Sequence, residues 1–276
     1  MAHITAKNIV IVGGQGQMGQ LFMRLLQAQG HAVAALGEAD WFRAKEMLSP
    51  ADMVMIAVPI AETEGMIRKV APYLKSDCLL TDITSTKHKP LQAMCAAHPG
   101  PVLGLHPVFG PTIGQPHQHV IVYCEGREPK AFEWLVRDLV KLNFVLHPMM
   151  ASAHDRAMDL IQGMQLFLIY CMGVFLQEQS VDLQELLAIS TPLNRLQVNM
   201  VGRIFYQNAE LYADILMSDQ KRAETLTHFV KLNERLLKQV QDKDRGAFIK
   251  EFESVKKWLG PFAKQAQDKT DEILNQ

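Results

Sequence analysis

Short apolar runs rich in β-branched residues recur through the first half of the chain, each closed by a glycine, a proline or a polar turn. Asn8 to Val12 (NIVIV) leads directly into GGQGQMG, and Gln20 to Gln29 then carries apolar residues at helical spacing. His31 to Leu36, Asp52 to Val58 and Cys78 to Asp82 read as the second, third and fourth strands, with a helix through Met66 to Leu74 before the fourth. A fifth strand begins near Val102 and stops at His106, because Pro107 holds His106 extended and cannot continue a ladder. His119 to Cys124 is a further strand, Lys130 to Leu142 a helix and Asn143 to Leu146 a last strand. Strand and helix alternate throughout, as an open parallel sheet requires. From Ala153 onward strand-like runs vanish and helical stretches fill the remainder, so His147 to Ser152 separates residues 1–150 from an all-helical domain at 151–276. There the apolar positions Leu211, Ile215, Phe229 and Leu236 are core or subunit interface. The longest apolar stretch, Leu166 to Leu176, is shorter than the roughly 20 residues of a spanning helix and reads as a buried helix.

The first strand–turn–helix unit changes the picture most. Gly14, Gly16 and Gly19 fit GxGxxG: the first permits the tight turn, the second lets the backbone approach a pyrophosphate, and the third lets helix and strand pack closely. Free amides at the helix start would hold the phosphates. The alternative is a glycine-rich turn that binds nothing. With the alternating pattern it points to an α/β, Rossmann-type dinucleotide-binding domain. Gly37 stands where a ribose-binding acid is expected at the end of the second strand, with Glu38 and Asp40 just beyond. No arginine lies in this turn to accept the extra phosphate of NADP, so NAD is the expected cofactor. Glu38 and Asp40 are otherwise a solvated turn or the cap of the helix holding Arg43 and Lys45.

His106 is the leading candidate for chemistry, since a strand end in such a sheet is where ligands collect; a core histidine in a tight turn is the alternative. Ser85 and Lys87, in the ITSTK that follows the fourth strand, leave the same sheet edge; Ser85 orients the imidazole, contacts the nicotinamide end, or caps a helix. In the helical half, His154 opens a helix in AHDRAM. Arg195 and Arg203 lie eight residues apart on a predominantly apolar helix, where a buried arginine needs an anion: a neighbouring glutamate or a substrate carboxylate.

With 48% hydrophobic residues, a net charge of -1 and no basic patch, the chain is not expected to bind nucleic acid. The four cysteines show neither CxxC nor metal-ligand spacing, so no metal is expected. The N-terminus lacks a signal-length apolar core, and a reducing cytoplasm without membrane association fits best.

Together these stretches resemble a family: the dehydrogenase part of the bifunctional chorismate mutase–prephenate dehydrogenases of tyrosine biosynthesis. VGGQGQMGQLF, ADW, AVPI, GPVLGLHPVFGP, CEGR, AHDRAM, MVGRIF and AELYADI carry the resemblance from about Ile9 nearly to the C-terminus. It implies a chain without the N-terminal mutase segment, acting as a homodimer through its helical domain on a small-molecule substrate. It implies NAD-dependent oxidative decarboxylation of prephenate to 4-hydroxyphenylpyruvate. In this resemblance His106 hydrogen-bonds the ring hydroxyl in a general-base role, Ser85 lies near it, and Arg203 binds a substrate carboxylate. Arg195, His154 and Tyr212 match positions near the substrate, and Gln17, Met18, Val58 and Pro59 join the glycines and Glu38 at the cofactor.

The chain departs from the family at Gly37, where the family has an acid, and at two sets of positions that fall in one region. Where the family reads QALRHF this chain has Gln162 to Phe167 as QGMQLF, which replaces an arginine and a histidine by Gln165 and Leu166, and Asn194 replaces a tyrosine. They make 4-amino-4-deoxyprephenate, on the way to 4-aminophenylalanine, the alternative substrate. A dinucleotide-binding regulatory protein without catalysis is another reading, favoured by Gln165 and Leu166 and opposed by His106, Ser85 and Arg203; a β-hydroxyacid or imine reductase is a third and does not explain GLHPVFGP or MVGR.

Overall fold

The computed structural model describes residues 5–113 and 119–274. Among these, seven strands form one sheet in the order β2-β1-β3-β4-β5-β6-β7. They are β1 (Asn8–Val12), β2 (Ala32–Leu36), β3 (Met53–Ile56), β4 (Leu79–Asp82), β5 (Val102–Pro107), β6 (Val120–Arg127) and β7 (Val145–Pro148). β1 to β5 are parallel, as the alternating pattern predicts. β6 departs from it by pairing antiparallel to β5, and β7 is parallel to β6. No helix lies between β5 and β6 among the described residues, so the chain returns beside β5 without the crossover a parallel neighbour needs.

MVMI of β3 and VLGLHP of β5 are buried at every position, as runs covered on both faces must be. Successive residues point to opposite faces and build two cores. Ile9, Ile11, Met53, Leu103 and Leu105 join Phe22 and Phe132 on one face, while Val10, Val12, Val54, Ile56 and Leu80 join Ile67 and Met94 on the other. The helices that supply these cores are α1 (Gln17–Ala28), α2 (Ala44–Leu48), α3 (Ile60–Val70), α4 (His88–Ala97) and α5 (Pro129–Lys141), and α6 (Ala151–Met158) follows β7. β5 includes Pro107, one residue past the expected stop. Pro107 pairs only with β6, because β4 ends opposite Gly104.

The chain divides into two compact units, Met1–Asp159 and Leu160–Gln276, with α6 in the first. The second holds α7 (Gln165–Glu178), α8 (Leu183–Ala188), α9 (Pro192–Phe205), α10 (Ala209–Leu216), α11 (Gln220–Gln241), α12 (Arg245–Leu259) and α13 (Phe262–Leu274). Its core is thin. Among its described residues only Gly163, Ile169, Ile215 and Arg222 are buried, while Leu168, Phe175, Phe248, Phe252 and Trp258 are exposed. Leu166 to Leu176 is therefore not a buried helix. Nor is it short: α6 runs through a π turn at Asp159–Met164 into α7, with no proline to stop it. The resulting Ala151–Glu178 is long and apolar enough to cross a membrane by length and composition alone. Apolar faces of this size need a covering partner.

Candidate active site

The glycine turn joins β1 to α1. Gly13 donates to Leu36 O at 2.9 Å, Gly14 to Ile11 O at 3.1 Å and Gly16 to Gly13 O at 3.0 Å. The positive φ of the tight turn, 79°, belongs to Gly13 rather than Gly14. A Cβ on Gly13 would meet Ala57 O at 2.5 Å and Val58 Cγ1 at 3.1 Å, so this glycine lets β1 pass close to the end of β3. Gly14 is needed for another close approach, since its Cβ would lie 2.8 Å from that of Ala35 on β2. Gly19 packs α1 onto the turn: its Cβ would fall 2.6 Å from Gly13 O. At Gly16, the N-cap of α1, only Gly13 O comes near, at 3.3 Å, and no side chain caps the helix. Uncapped amides behind a surface without Cβ atoms fit a pyrophosphate. Gln17 is exposed, Met18 packs against the core, Val58 is half-buried and Pro59 is the N-cap of α3. At the end of β2, Gly37 starts a short 3-10 turn, Glu38–Arg43, whose first residue Glu38 is exposed.

At the carboxyl end of β5, beyond the last residue paired with β4, His106 is buried with 2% exposure. Its Nδ1 lies 2.7 Å from Nε2 of His154, which is wholly buried on α6. His154 Nδ1 in turn lies 2.7 Å from Asp155 Oδ1. Asp155 also accepts from the backbone amides of Lys87, at 2.8 Å, and His88, at 2.9 Å, where α4 begins. Burial alone would push the Asp155 carboxyl up, but the His154 ring and these two amides outweigh it and hold it below its usual 3.8. An ionised carboxylate cannot donate, so the hydrogen between Asp155 and His154 lies on His154, and with both rings neutral the remaining hydrogens follow. His154 donates from Nδ1 to Asp155, its Nε2 accepts from His106 Nδ1, and His106 Nε2 is left as an acceptor.

The loop from β4 to α4 frames this chain. Lys87 is fully buried, pairs with the equally buried Asp82, and donates to Leu105 O at 2.6 Å, one residue before His106. Thr84 also donates to Asp82, from its hydroxyl and from its amide, the latter at 3.1 Å. Ser85 is half-buried in the middle of this loop. The cap of α4 is not the Ser/Thr run but Asp155, a side chain from another helix.

In the helical unit, Arg195 and Arg203 on α9 are both exposed, so the expected buried arginine is neither of them. α9 packs on α7 near Gly173 through Val201 and Phe205, and no residue of α9 is fully buried. Arg195 donates from Nε to Leu187 O, 3.1 Å away at the end of α8. Tyr212 on α10 is half-buried; burial pushes its phenol up, against the pull of the nearby Arg203 charge. The arginine that is buried is Arg222, at 1% exposure, which donates to Ile215 O and lays its stem along Gly163. Gln165 and Asn194 are exposed and Leu166 is half-buried.

Gly13, Asp155 and Arg222 were not singled out by sequence reasoning, and Lys87 was placed at the sheet edge without a role. For Gly13 the doubled glycine was the available signal, and for Asp155 the carboxylate beside His154 in AHDR. Nothing local marked Lys87 or Arg222 as buried.

A glycine-turned nucleotide-binding sheet with a histidine at its strand edge, followed by a helical unit, defines a two-domain dehydrogenase. Residues 27–122 match the family model described as the nucleotide-binding domain of prephenate dehydrogenase, and residues 150–254 that described as its dimerization domain. The T-protein of Enterobacter agglomerans is 43% identical over 257 residues, 93% of this chain and 69% of that protein. The T-protein of Haemophilus influenzae is 38% identical over 268 residues, 97% and 71% of the two chains. The chain belongs to the prephenate dehydrogenase family. Its fold is shared with prephenate dehydrogenase from A. aeolicus, solved with hydroxyphenyl propionate and NAD+: the TM-score is 0.75 over 92% of this chain and 97% of that one, at 17% identity.

Proposed function

We propose that the chain catalyses NAD-dependent oxidative decarboxylation of prephenate, and that the relay from Asp155 through His154 to His106 is the observation that carries this reading. Residues Gly13 to Gly19, with Val58 and Pro59, would hold the dinucleotide, which when bound supplies the hydride acceptor. His106 Nε2, kept as an acceptor by the relay, takes the hydrogen bond of the ring hydroxyl and draws its proton as hydride leaves the same carbon. Positive charge arising on the His106 imidazole is met through His154 by the Asp155 carboxylate. The ring carboxylate departs as carbon dioxide, its bonding electrons complete the aromatic ring, and the proton returns to the phenol oxygen. Ser85 orients the hydroxyl. Arg203, beside Tyr212, binds a substrate carboxylate with Arg195, and His154, both of whose ring nitrogens are engaged, acts through His106 rather than on the substrate.

The same reading makes the protein a homodimer through its helical unit. A groove of about 770 Å³ between α7, α11 and α12, lined by Phe167, Leu168, Phe229, Leu237, Phe248 and Phe252, is the kind of surface that a second copy covers. Covering it also accounts for the apolarity of Ala151–Glu178 without a membrane, in keeping with a cytoplasmic enzyme.

Purified protein given prephenate and NAD should form NADH and carbon dioxide in equal amounts, and His106→Asn should lower kcat by about 10²–10⁴-fold, the worth of a general base. Absence of both products from folded wild type refutes the reading. Parallel turnover of 4-amino-4-deoxyprephenate tests whether Gln165, Leu166 and Asn194 have moved the preference to the amine.

A further inference from the structure

At the end of β2 the chain offers no side chain where an acid would meet the ribose of a dinucleotide. Gly37 is buried and extended, with φ -98° and ψ 177°. The space that a Cβ would enter there is already occupied: it would lie 2.7 Å from Gln15 Nε2, 2.8 Å from Cδ and 2.9 Å from Oε1. All three neighbours belong to one carboxamide. Gln15 stands in the glycine turn between Gly14 and Gly16, and its backbone carbonyl accepts from Gln20 Nε2 at 2.8 Å. Its side chain thus reaches across from the β1 turn and lies over the end of β2.

We propose that Gln15 reads the adenosine ribose in this chain in place of a strand-end acid, an assignment that rests on the dinucleotide reading above. A carboxamide offers an acceptor oxygen to a ribose hydroxyl and two N–H donors beside it, and it carries no charge. A carboxylate in the same place would accept from both ribose hydroxyls and repel a 2′-phosphate. The neutral amide holds the ribose without that repulsion, and its donors suit a phosphate oxygen. The nearest acid in sequence, Glu38, is exposed, where solvent screens its charge. Exclusion of NADP is therefore weaker here than a strand-end carboxylate would make it.

The test is a fluorescence titration of NADH and of NADPH into the full-length chain, so that it reads affinity and not turnover. Wild type should bind the two within about tenfold of each other, the worth of one charge-assisted bond. Gln15→Ala should weaken NADH about three- to tenfold, the range of one neutral hydrogen bond. Gln15→Glu should raise the Kd for NADPH at least about tenfold while that for NADH moves less. Gly37→Ala puts its methyl into the carboxamide and should weaken NADH as Gln15→Ala does, with no further loss when the two are combined. Unchanged affinities in Gln15→Ala, or an unchanged NADPH-to-NADH ratio in Gln15→Glu, would overturn the role of Gln15 and leave the cofactor reading standing. Wild type that binds neither dinucleotide overturns both.

Discussion

Replacing Asp155 by asparagine changes one atom in the relay and tests the hydrogen assignment on which the chemistry depends. Three N–H groups converge on the carboxylate: the His154 ring at 2.7 Å and the Lys87 amide at 2.8 Å on Oδ1, and the His88 amide at 2.9 Å on Oδ2. A carboxamide has one acceptor oxygen to offer them. With that oxygen toward His154 the tautomers survive, but the anion that met the imidazolium is gone. One charge-assisted bond is worth about 1.5–3 kcal/mol, and the low end applies because the Asp155 side chain is 20% exposed. That corresponds to about a tenfold loss of kcat at about 1.4 kcal/mol per decade. With the amide turned the other way, its NH2 donates to His154 Nδ1 and the relay reverses. His106 Nε2 then carries the hydrogen and cannot act as a base, which in a serine-hydrolase triad costs about 10⁴-fold. Steady-state NADH formation across pH separates the two cases. In the first, the limb that reports the base moves to lower pH; in the second, turnover is nearly lost and adding His106→Asn costs little more. A folded Asp155→Asn enzyme with wild-type kcat and an unmoved pH profile would refute the relay.

Four further expectations follow from the same geometry. Arg203→Gln should raise the KM for prephenate about ten- to a hundredfold with KM for NAD unchanged, and because Arg203 is exposed the melting temperature should barely move; an unchanged KM would shift the carboxylate site to Arg195. Phe252 is 59% exposed in the single chain, so Phe252→Glu should yield folded monomers in sedimentation, and an unaltered dimer would place the interface elsewhere. Burial holds His98 below its usual 6.5, and its Nδ1 finds no partner among the described residues; the unfolded chain therefore takes up this proton first as pH falls, stability drops from about pH 6.5 downward, and His98→Gln should flatten the dependence of the urea midpoint on pH. Asp155 has its carboxyl depressed below 3.8, so its contribution is complete above that value and is lost as pH falls through the lower folded one; acid unfolding followed by circular dichroism should be shallower in Asp155→Asn.

The sheet was legible because burial on both faces imposes a composition: MVMI and NIVIV permit little else between their turns. What escaped was the direction of β6, since an antiparallel return and a parallel crossover leave the same apolar alternation in VIVYC. The helical half misled for a related reason. An apolar stripe says that a face is covered and does not say by what, so Leu166 to Leu176 read as core although Ile169 alone of α7 is buried within its own chain. The arginines failed the same way. Arg203 has apolar neighbours in sequence yet is exposed, while Arg222, amid the polar run DQKRAET, is enclosed at the start of α11.

At the site, local sequence reached the residues that geometry constrains locally, His106 before its proline and the glycines before α1. It placed Lys87 at the sheet edge without its partners and did not reach Asp155, since the partners of both lie on other elements. These two do more than fill space. Lys87 joins the β4–α4 loop to β5 through Leu105 O, and the Lys87 amide joins the same loop to α6 through Asp155. The strand carrying His106 and the helix carrying His154 are thus tied to one residue. Its ammonium is fully buried and is balanced by Asp82 alone among described ion pairs, so removing either partner strands a buried charge, typically at about 3–5 kcal/mol. The loop that frames the base is thus held by a buried ion pair, and it ties together the strand and the helix whose imidazoles lie 2.7 Å apart.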